Sequence, residues 1–282
     1  MMISRAMLDT WLAEHPYLKE LAWFQQTVDA ALYSHEPPVF PIPHWEDYFD
    51  DFSKGTPLLR ARPLDKDVIS MSARLLSELA DRLSDADGPD GLRHDCTVLC
   101  DEFRKAPDGA ALMLEKIAAG SAEAPEQNLP IQPGLLRYLC WRTLESILRP
   151  LVESFVQRSG EVRWGRAYCP VCGSLPAMAQ LRLTHKGRER FLSCGCCRSR
   201  WSYQRTGCPF CENHDQDKLE IFELEQEKDF RIDVCNSCNG YLKTCTREGD
   251  EDILLADWST VHLDFLARQQ GLQRHASSLY EL

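Results

Sequence analysis

The sequence predicts an α+β fold in which an N-terminal helical bundle is followed by two tandem metal-binding ribbons and a C-terminal helix. Three observations predict it. Apolar residues recur at helical spacing through about the first 160 residues, and period-two alternation replaces that spacing after Gly160. Ten of the 13 cysteines lie between Cys169 and Cys245. The predicted parts are a helical domain over residues 1–160, a first ribbon over 161–206, a second ribbon over 207–249, and a helix with its tail over 250–282.

The composition is that of a globular protein with an acidic surface. Of the 282 residues, 44% are hydrophobic and 27% are charged, and the formal net charge is −11. This charge argues against a protein that binds nucleic acid by electrostatic attraction alone. No apolar run approaches the roughly 18 residues that span a bilayer, and Asp9 interrupts the first apolar residues before a signal peptide could form. We expect a cytoplasmic protein without membrane insertion.

The N-terminal half predicts a bundle of five to seven helices. Two short helices are expected over residues 11–28, and Pro16 opens the second because its fixed φ suits a first helical turn. Four prolines within residues 34–43 predict an extended connector. The next helix begins at Asp65, a favourable N-cap residue. Further helical patterns cover residues 92–105, 110–119 and 134–157. Pro150 is expected to kink or divide the last of these.

The C-terminal half predicts two β-hairpins and a closing helix. Residues 177–183 and 188–194 show strand-like alternation on either side of a Lys186-Gly187 turn. Residues 219–224 and 230–234 predict the second pair of strands. Helical spacing returns over residues 253–270.

Four Cys-x-x-Cys pairs, or knuckles, are the chemical signature of this half. Each knuckle lets two thiolates approach one ion, so a tetrahedral site needs two knuckles. Successive knuckles are separated by 21, 10 and 23 residues, and both long gaps fit a hairpin. We predict that neighbouring knuckles pair, because local closure costs less entropy; a crossed pairing, first with third and second with fourth, stays open. The predicted ligands are Cys169, Cys172, Cys194 and Cys197 for one site, and Cys208, Cys211, Cys235 and Cys238 for the other.

The two sets of four cysteines predict two metal ions, but they do not indicate which metal binds. Zinc and iron both accept tetrahedral thiolate ligands, so a zinc ribbon and a rubredoxin-like iron site fit equally well. Four thiolates leave no coordination position for substrate or water, which predicts structural rather than catalytic sites. The sequence contains no phosphate-binding loop, nucleophile elbow, dinucleotide fingerprint or zincin motif. We therefore predict that the protein is not an enzyme, and that its helical domain stays folded when either site loses its metal.

The other cysteines and the histidines receive no metal in this interpretation. Cys196, inside the second knuckle, and Cys245, beyond the fourth, are predicted to be unligated thiols, although Cys196 is close enough to exchange with a ligand. Cys96, Cys100 and Cys140 fall on helical patterns and should be buried. None of the eight histidines has tight spacing with another ligand.

Three strings around the knuckles resemble the FdhE family of formate dehydrogenase accessory proteins. They are Cys169-Pro170-Val171-Cys172-Gly173-Ser174-Leu175-Pro176, Leu192-Ser193-Cys194-Gly195-Cys196-Cys197-Arg198-Ser199-Arg200-Trp201 and Cys235-Asn236-Ser237-Cys238-Asn239-Gly240-Tyr241-Leu242-Lys243. The resemblance is most specific over residues 166–243. In the helical half it includes only Lys54-Gly55-Thr56-Pro57-Leu58-Leu59. Cys196 lies outside the family pattern.

The resemblance implies a cytoplasmic, non-enzymatic protein that assists the maturation of formate dehydrogenases. It implies rubredoxin-like sites held by the eight knuckle cysteines, which favours iron, with zinc as the alternative. It also implies contact with the catalytic subunit of formate dehydrogenase before export. Two other functions stay open: a nucleic-acid-binding zinc ribbon, and a rubredoxin-like electron-transfer protein.

The distribution of charge is compatible with a charged protein partner. Residues 182–205 contain seven basic residues and one acidic residue, whereas residues 212–233 contain nine acidic and three basic residues. Such a contrast would orient a charged partner, unless both segments are simply solvated surface. Arg198 and Arg200 are candidate contacts. Tyr241-Leu242-Lys243 is another, although a strand packed on the closing helix would explain these residues better.

Overall fold

The computed structural model describes residues 4–34, 44–106, 108–119, 129–132, 134–159, 164–185, 187–225, 227–249 and 256–280. Its helices before the sheet are α1 (Arg5–Glu14), α2 (Lys19–Leu32), α3 (Trp45–Lys54), α4 (Leu58–Ala61), α5 (Lys66–Ser84), α6 (Asp90–Lys105), α7 (Gly109–Ala118) and α8 (Leu135–Ser159). The described residues before the sheet thus contain eight α-helices, against the predicted five to seven. The one-turn α4 is too short to show a periodic stripe. No helix was predicted at α3, although its aromatic residues form such a stripe. Most of the predicted proline-rich connector lies outside the described residues.

Local signals place several helix ends where they were predicted. Pro16 opens a 3₁₀ turn, Pro16–Leu18, that leads directly into α2. The Asp65 side chain caps α5 by accepting a hydrogen bond from Val68 N at 2.8 Å. Pro150 does not divide α8, which runs through it as one helix. The reason is packing, since α8 is buried continuously from Tyr138 to Leu148 and its neighbours hold it.

The second half of the chain forms one six-stranded sheet. Its strands are β1 (Pro176–Thr184), β2 (Gly187–Cys194), β3 (Arg200–Tyr203), β4 (Leu219–Glu223), β5 (Phe230–Cys235) and β6 (Gly240–Cys245), in the order β3-β2-β1-β6-β5-β4. The two predicted hairpins are confirmed as β1–β2 and β4–β5. Each ribbon has three antiparallel strands, and the ribbons join where β1 pairs in parallel with β6, with Met178 opposite Lys243.

The chain closes with a short 3₁₀ turn, Asp257–Thr260, and the helix α9 (Val261–Gln269). The closing helix was predicted over residues 253–270. Its first predicted residues, 253–255, lie outside the described residues. None of the helices in the described ranges is both long and apolar enough to cross a bilayer.

Two hydrophobic cores hold the sheet against the helices. The larger core combines side chains of α2 to α8 with first-ribbon residues such as Val171, Leu192 and Trp201. The smaller core combines Trp11 of α1 with Phe230 of the second ribbon and with the closing segment, residues 256–280. Both cores therefore contain residues from each side of residue 160.

The α3–α4 segment, residues 55–59, which includes the first two residues of α4, docks directly on the first knuckle. Leu58 N and Leu59 N donate hydrogen bonds, both of 2.9 Å, to carbonyl oxygens inside the Cys169–Cys172 knuckle. Tyr168 Oη donates to Gly55 O at 2.7 Å. Gly55 has a φ of +86°, and a Cβ there would lie 2.9 Å from the Tyr168 hydroxyl, so only glycine fits. The string singled out in the helical half therefore attaches that half to the first cysteine cluster.

Candidate metal centres

The first candidate centre brings together the four cysteines of the first-ribbon knuckles. The Sγ atoms of Cys169, Cys172, Cys194 and Cys197 lie within 4.8 Å of one another. Cys169 Sγ is 3.5 Å from Cys197 Sγ, and Cys172 Sγ is 3.5 Å from Cys194 Sγ. A tetrahedral ion with metal–sulfur distances of about 2.3 Å has sulfur–sulfur edges of ~3.8 Å. The four sulfur atoms therefore surround a space that fits one ion after small adjustments.

The second candidate centre has the same arrangement. The Sγ atoms of Cys208, Cys211, Cys235 and Cys238 lie within 4.8 Å of one another. Cys208 Sγ is 3.7 Å from Cys238 Sγ, and Cys211 Sγ is 3.7 Å from Cys235 Sγ. In both centres neighbouring knuckles come together, and the crossed arrangement does not occur.

Hydrogen bonds to sulfur favour a thiolate at Cys169 in the first centre, whereas hydrogen bonding to neighbouring thiols raises the pKa of Cys172 and Cys194. Val171 N and Cys172 N donate to Cys169 Sγ at 3.3 and 3.4 Å. Ser199 Oγ, on a buried side chain that sequence analysis did not identify, lies 2.9 Å from the same sulfur. Burial by itself raises the pKa of Cys169, but the neighbouring thiols and Ser199 outweigh it and hold that pKa well below its usual value. Cys169 is thereby prepared for the charged form that binds metals.

The second centre favours a thiolate at Cys235. Burial by itself raises the pKa of this thiol, but the backbone N–H groups of Cys238 and Ser237, together with two neighbouring thiols, lower it to about 7. Phe210 N donates to Cys208 Sγ at 3.3 Å, as the knuckle geometry requires. The donor sets of both centres thus suit a thiophilic ion such as iron or zinc.

The two centres differ in their access to solvent. In the first centre three cysteines are buried and Cys172 is half-buried, and all four belong to or pack against the larger core. In the second centre Cys211 is exposed and Cys238 is half-buried. Small solutes and partner proteins can therefore reach the second centre much more easily than the first.

Each knuckle ends in a residue with left-handed backbone. These residues directly follow the second cysteine, and they are Gly173 (φ +82°), Arg198 (+57°), Glu212 (+56°) and Asn239 (+55°). In the first three knuckles, the N–H of the first cysteine donates to the carbonyl oxygen of the residue after this one, at 2.8 to 3.0 Å. The positive φ closes that loop and points the intervening N–H groups at sulfur. Only one of the four positions holds glycine, the residue that adopts this conformation without strain.

The cysteines outside the two centres occupy three different environments. Cys96, Cys100 and Cys140 are buried in the helical half, as predicted. Cys196 is not among the four sulfur atoms of the first centre, and its Sγ lies 3.6 Å from Ser174 Oγ. Cys245 is fully buried in β6.

Arg198 connects the second knuckle to the helical half instead of facing a partner. Its Nε lies 3.8 Å from Oε1 of the buried Glu145 in α8. Glu145 also pairs with Arg142, which in turn pairs with Asp29 of α2. Burial by itself would lower the pKa of Arg198, but Glu145 outweighs it and raises that pKa. Although its side chain is 34% exposed, Arg198 is already paired with a buried carboxylate, which makes it a poor contact for a charged partner.

The candidate contact at Tyr241-Leu242-Lys243 is also internal. All three side chains are buried, and Lys243 is only 1% exposed. Lys243 Nζ lies 2.6 Å from Asp257 Oδ1 and 2.8 Å from Asp264 Oδ2, and Tyr241 Oη donates to Asp264 Oδ1 at 2.7 Å. The partner-contact interpretation is wrong, and the alternative of a strand packed on the closing helix is confirmed.

A third cluster of potential ligands was missed by sequence analysis. His15, Glu227 and His262 each offer one ligand atom, and these atoms lie within 4.8 Å of one another. No spacing rule could have found them, because the three residues come from α1, the β4–β5 connection and α9.

The cysteine-rich half of the chain resembles a known protein family in sequence. A family model described as the central domain of FdhE matches residues 168–205, and one described as the C-terminal domain of FdhE matches residues 206–280. A protein FdhE homolog of Aquifex aeolicus is 35% identical over 147 residues, 50% of each chain. Protein FdhE of Escherichia coli K12 is 32% identical over 112 residues, 39% of this chain and 36% of that protein. The matches thus span about a third to half of the length of these curated relatives.

The fold has a counterpart among solved structures. The crystal structure of the FdhE protein from Pseudomonas aeruginosa superposes with a TM-score of 0.60 at 22% identity, covering 94% of this chain and 88% of that one. Helices, six-stranded sheet and four-cysteine clusters define a protein with a helical half and two metal-ribbon units, which confirms the predicted fold class. Both ribbons match the corresponding family models, so residues 168–280 are similar in sequence to the central and C-terminal domains of FdhE.

Proposed function

We propose that this protein is a non-enzymatic accessory protein for the maturation of formate dehydrogenase, and that it binds the catalytic subunit in the cytoplasm before export. The match of both ribbons to the FdhE family models is the observation that carries the proposal. The eight knuckle cysteines are proposed as the ligands of two metal ions, iron with zinc as the alternative. The units are proposed to follow the boundaries 1–160, 161–206, 207–249 and 250–282.

The chemistry of the centres supports a role other than catalysis. Four sulfur atoms complete a tetrahedral coordination sphere and leave no position for a substrate. The first centre lies between the helical half and the sheet, where a metal would act as a cross-link. A structural ion of this kind contributes directly to folding.

The second ribbon is the proposed surface for the catalytic subunit. Its strand β4 is an edge of the sheet, with Ile221 55% exposed and Phe222 39% exposed. An exposed edge strand with apolar side chains offers both backbone and side-chain contacts to a partner. The exposed Cys211 belongs to the same ribbon. The acidic residues of this ribbon would add electrostatic attraction to a basic surface.

Complementation of a deletion strain tests the proposal. Loss of the gene should abolish respiratory formate oxidation, and the wild-type gene should restore it. Cys211→Ser should fail to restore it although the protein accumulates normally. Cys100→Ala, which removes a cysteine of α6 outside both centres, should restore it. Normal formate oxidation in the deletion strain would contradict the accessory function.

Co-purification tests the surface. Ile221→Asp with Phe222→Asp should reduce recovery of the formate dehydrogenase catalytic subunit by about tenfold or more, since buried interface residues dominate affinity. Leu112→Asp is a matched control, because Leu112 is 53% exposed but lies on α7 of the helical half. Equal recovery with all variants would place the contact elsewhere.

Electron transfer is a second candidate function, favoured by the exposure of Cys211, which would bring an iron centre close to the surface. Iron–thiolate absorbance that bleaches and returns on reduction and reoxidation, with a potential matched to a partner, would support it. Binding to DNA or RNA that weakens steeply with salt would instead favour the nucleic-acid alternative.

A further inference from the structure

A third potential metal site lies outside the two four-cysteine centres. His15 follows the last residue of α1, Glu227 lies between β4 and β5, and His262 is the second residue of α9. His15 Nε2 lies 3.1 Å from Glu227 Oε1, and His262 Nε2 lies 2.8 Å from the same oxygen. Two imidazole nitrogens therefore lie close to the same carboxylate oxygen.

The hydrogen positions at His15 leave a gap for a cation. Its Nδ1 lies 3.0 Å from the carbonyl oxygen of Trp11, which can only accept, so Nδ1 carries a hydrogen. In the neutral ring Nε2 then presents a lone pair to a negatively charged oxygen. This contact is repulsive unless a second proton or a metal ion lies between the two atoms. The hydrogen bond to Trp11 is also the outer contact that orients a metal-binding histidine.

His262 has no competing interaction that would turn its ring away. Its Nδ1 is buried and has no hydrogen-bond partner within the described ranges of the chain. Its Nε2 is close to Glu227 without the alignment of a hydrogen bond.

The surrounding rings hold the two imidazoles in place. Trp11 stacks on His15 with ring centroids 4.2 Å apart. Tyr17 packs edge-on against both histidines, at 5.9 and 5.7 Å. Side chains of His15, Glu227 and His262 are only 8%, 14% and 15% exposed, whereas Tyr17 is 59% exposed. The site is thus rigid, nearly dry and close to the surface on the Tyr17 side.

We propose that His15, Glu227 and His262 bind a divalent transition-metal ion of the zinc type. Two imidazole nitrogens and one carboxylate oxygen are a common ligand set for such an ion, with bonds of about 2.0–2.2 Å and edges of ~3.3 Å. The distances of 2.8 and 3.1 Å fit those edges after a small expansion. Three protein ligands leave one coordination position for water or for a donor from a partner. The ion fastens α1 to the second ribbon and to the closing helix.

The test counts all bound metal ions, iron and zinc together, in the full-length protein. After saturation with Zn²⁺ and removal of loosely held metal, the wild type should retain three ions per chain. Glu227→Gln and His262→Gln should each retain two, because the four-cysteine centres are unchanged. His94→Gln is the matched control: His94 is exposed on α6 and should leave the count at three.

Two further measurements keep the result independent of variant folding. Crystals of the zinc-loaded wild type should show an anomalous peak about 2 Å from His15 Nε2, His262 Nε2 and Glu227 Oε1. Excess Zn²⁺ should raise the melting temperature of the wild type by a few degrees, and that of Glu227→Gln by much less. The absence of this peak, or equal metal counts in wild type and Glu227→Gln, would overturn the proposal and leave a proton-bridged ion pair.

Discussion

At the scale of single residues, the knuckles depend on one backbone conformation. The residue after the second cysteine adopts a positive φ in all four knuckles, which returns the chain to the sulfur atoms. An L-residue in this conformation costs about 1–2 kcal/mol. Gly173 avoids that cost, whereas Glu212 accepts it. Local geometry at these positions is therefore set by the centre and not by residue preference.

We predict that Gly173→Ala lowers the free energy of unfolding by about 1–2 kcal/mol or more. Its φ is +82°, and a Cβ would lie 3.2 Å from Cγ of Pro57 in the helical half. Glu212→Gly should change stability by less than about 1 kcal/mol, since relief of strain is offset by the greater entropy loss of glycine. Urea unfolding of metal-loaded protein, followed by tryptophan fluorescence, measures both.

Gly91→Ala is a matched control that should change the free energy of unfolding in the opposite direction. Gly91 lies in α6, has no positive φ, and a Cβ there would meet no atom within 4 Å. Gly91→Ala should therefore stabilise the protein by about 0.5–1 kcal/mol. If Gly173→Ala were as well tolerated as Gly91→Ala, the knuckle would not require a left-handed residue.

At the scale of elements, a buried ionic network joins β6 to the closing segment. Lys243 contacts both Asp257 and Asp264, and Arg274 contacts the same two carboxylates at 2.7 to 2.9 Å. Ser278 Oγ donates to Asp257 Oδ2 at 2.9 Å. Two cations and two anions balance in a site without solvent, so the removal of one charge leaves the others uncompensated.

We predict that Asp257→Asn destabilises the protein by about 3–5 kcal/mol, because it leaves Lys243 and Arg274 with one carboxylate. Asp101→Asn is the matched control, since the Asp101–Arg104 pair is 55% and 67% exposed and should contribute less than about 1 kcal/mol. Unfolding in urea at neutral pH compares the two variants. If both variants lost a similar free energy of unfolding, burial of the network would have no energetic consequence.

The same network predicts a dependence of stability on pH. Burial by itself raises the pKa of Asp257, but Arg274 and Lys243 outweigh it and hold that pKa well below its usual value. A carboxylate whose pKa is lowered by folding stabilises the folded state at pH values above its pKa in the unfolded chain, which is about 3.9. This stabilisation is lost as the pH falls below that value. Unfolding free energies measured between pH 7 and pH 3 should fall less steeply in Asp257→Asn. An identical slope would contradict the assignment.

At the scale of the whole molecule, the two candidate centres occupy unequal positions. The first lies inside the core that the sheet shares with the helices, and the α3–α4 segment binds its knuckle through two backbone hydrogen bonds. The second lies on the ribbon farther from that core, with Cys211 exposed. Access to solvent and coupling to folding should therefore differ between the two ions.

We predict that metal leaves the centres in two phases. A thiol-reactive mercurial or a strong chelator should release the ion of the second centre first, because Cys211 is exposed, and the ion of the first centre much later. Metal release followed with a chromophoric chelator measures both phases. Cys208→Ser should abolish the fast phase and Cys169→Ser the slow one. A single phase for two equivalent ions would contradict the asymmetry.

Loss of the first centre should also affect the helices. The sequence predicted that the helical domain stays folded when either site loses its metal. We now expect a different result for the first site, because residues of the first knuckle belong to the core of the helical half. Cys169→Ser should lower the melting temperature of the far-UV helix signal by several degrees more than Cys208→Ser does. Equal effects, or none, would restore the picture of an independent helical domain.

The sequence by itself determined the features that depend on nearby residues. The knuckles, the hairpins β1–β2 and β4–β5, and the Asp65 cap all join residues close in the chain, so spacing and residue type suffice to predict them. The grouping of the eight knuckle cysteines into two sets followed from the same short loops. The strings around the knuckles also carried enough specificity to indicate the FdhE family.

Only the tertiary structure decided the features that join distant residues. The parallel pairing of β1 with β6, the docking of α4 on the first knuckle, and the contact of His15 with Glu227, 212 positions apart, leave no periodic trace in the sequence. The internal roles of Arg198 and Lys243 were hidden for the same reason, since a charged residue looks exposed until its buried partner is located. Burial depends on how all elements pack together, and packing is a property of the whole chain.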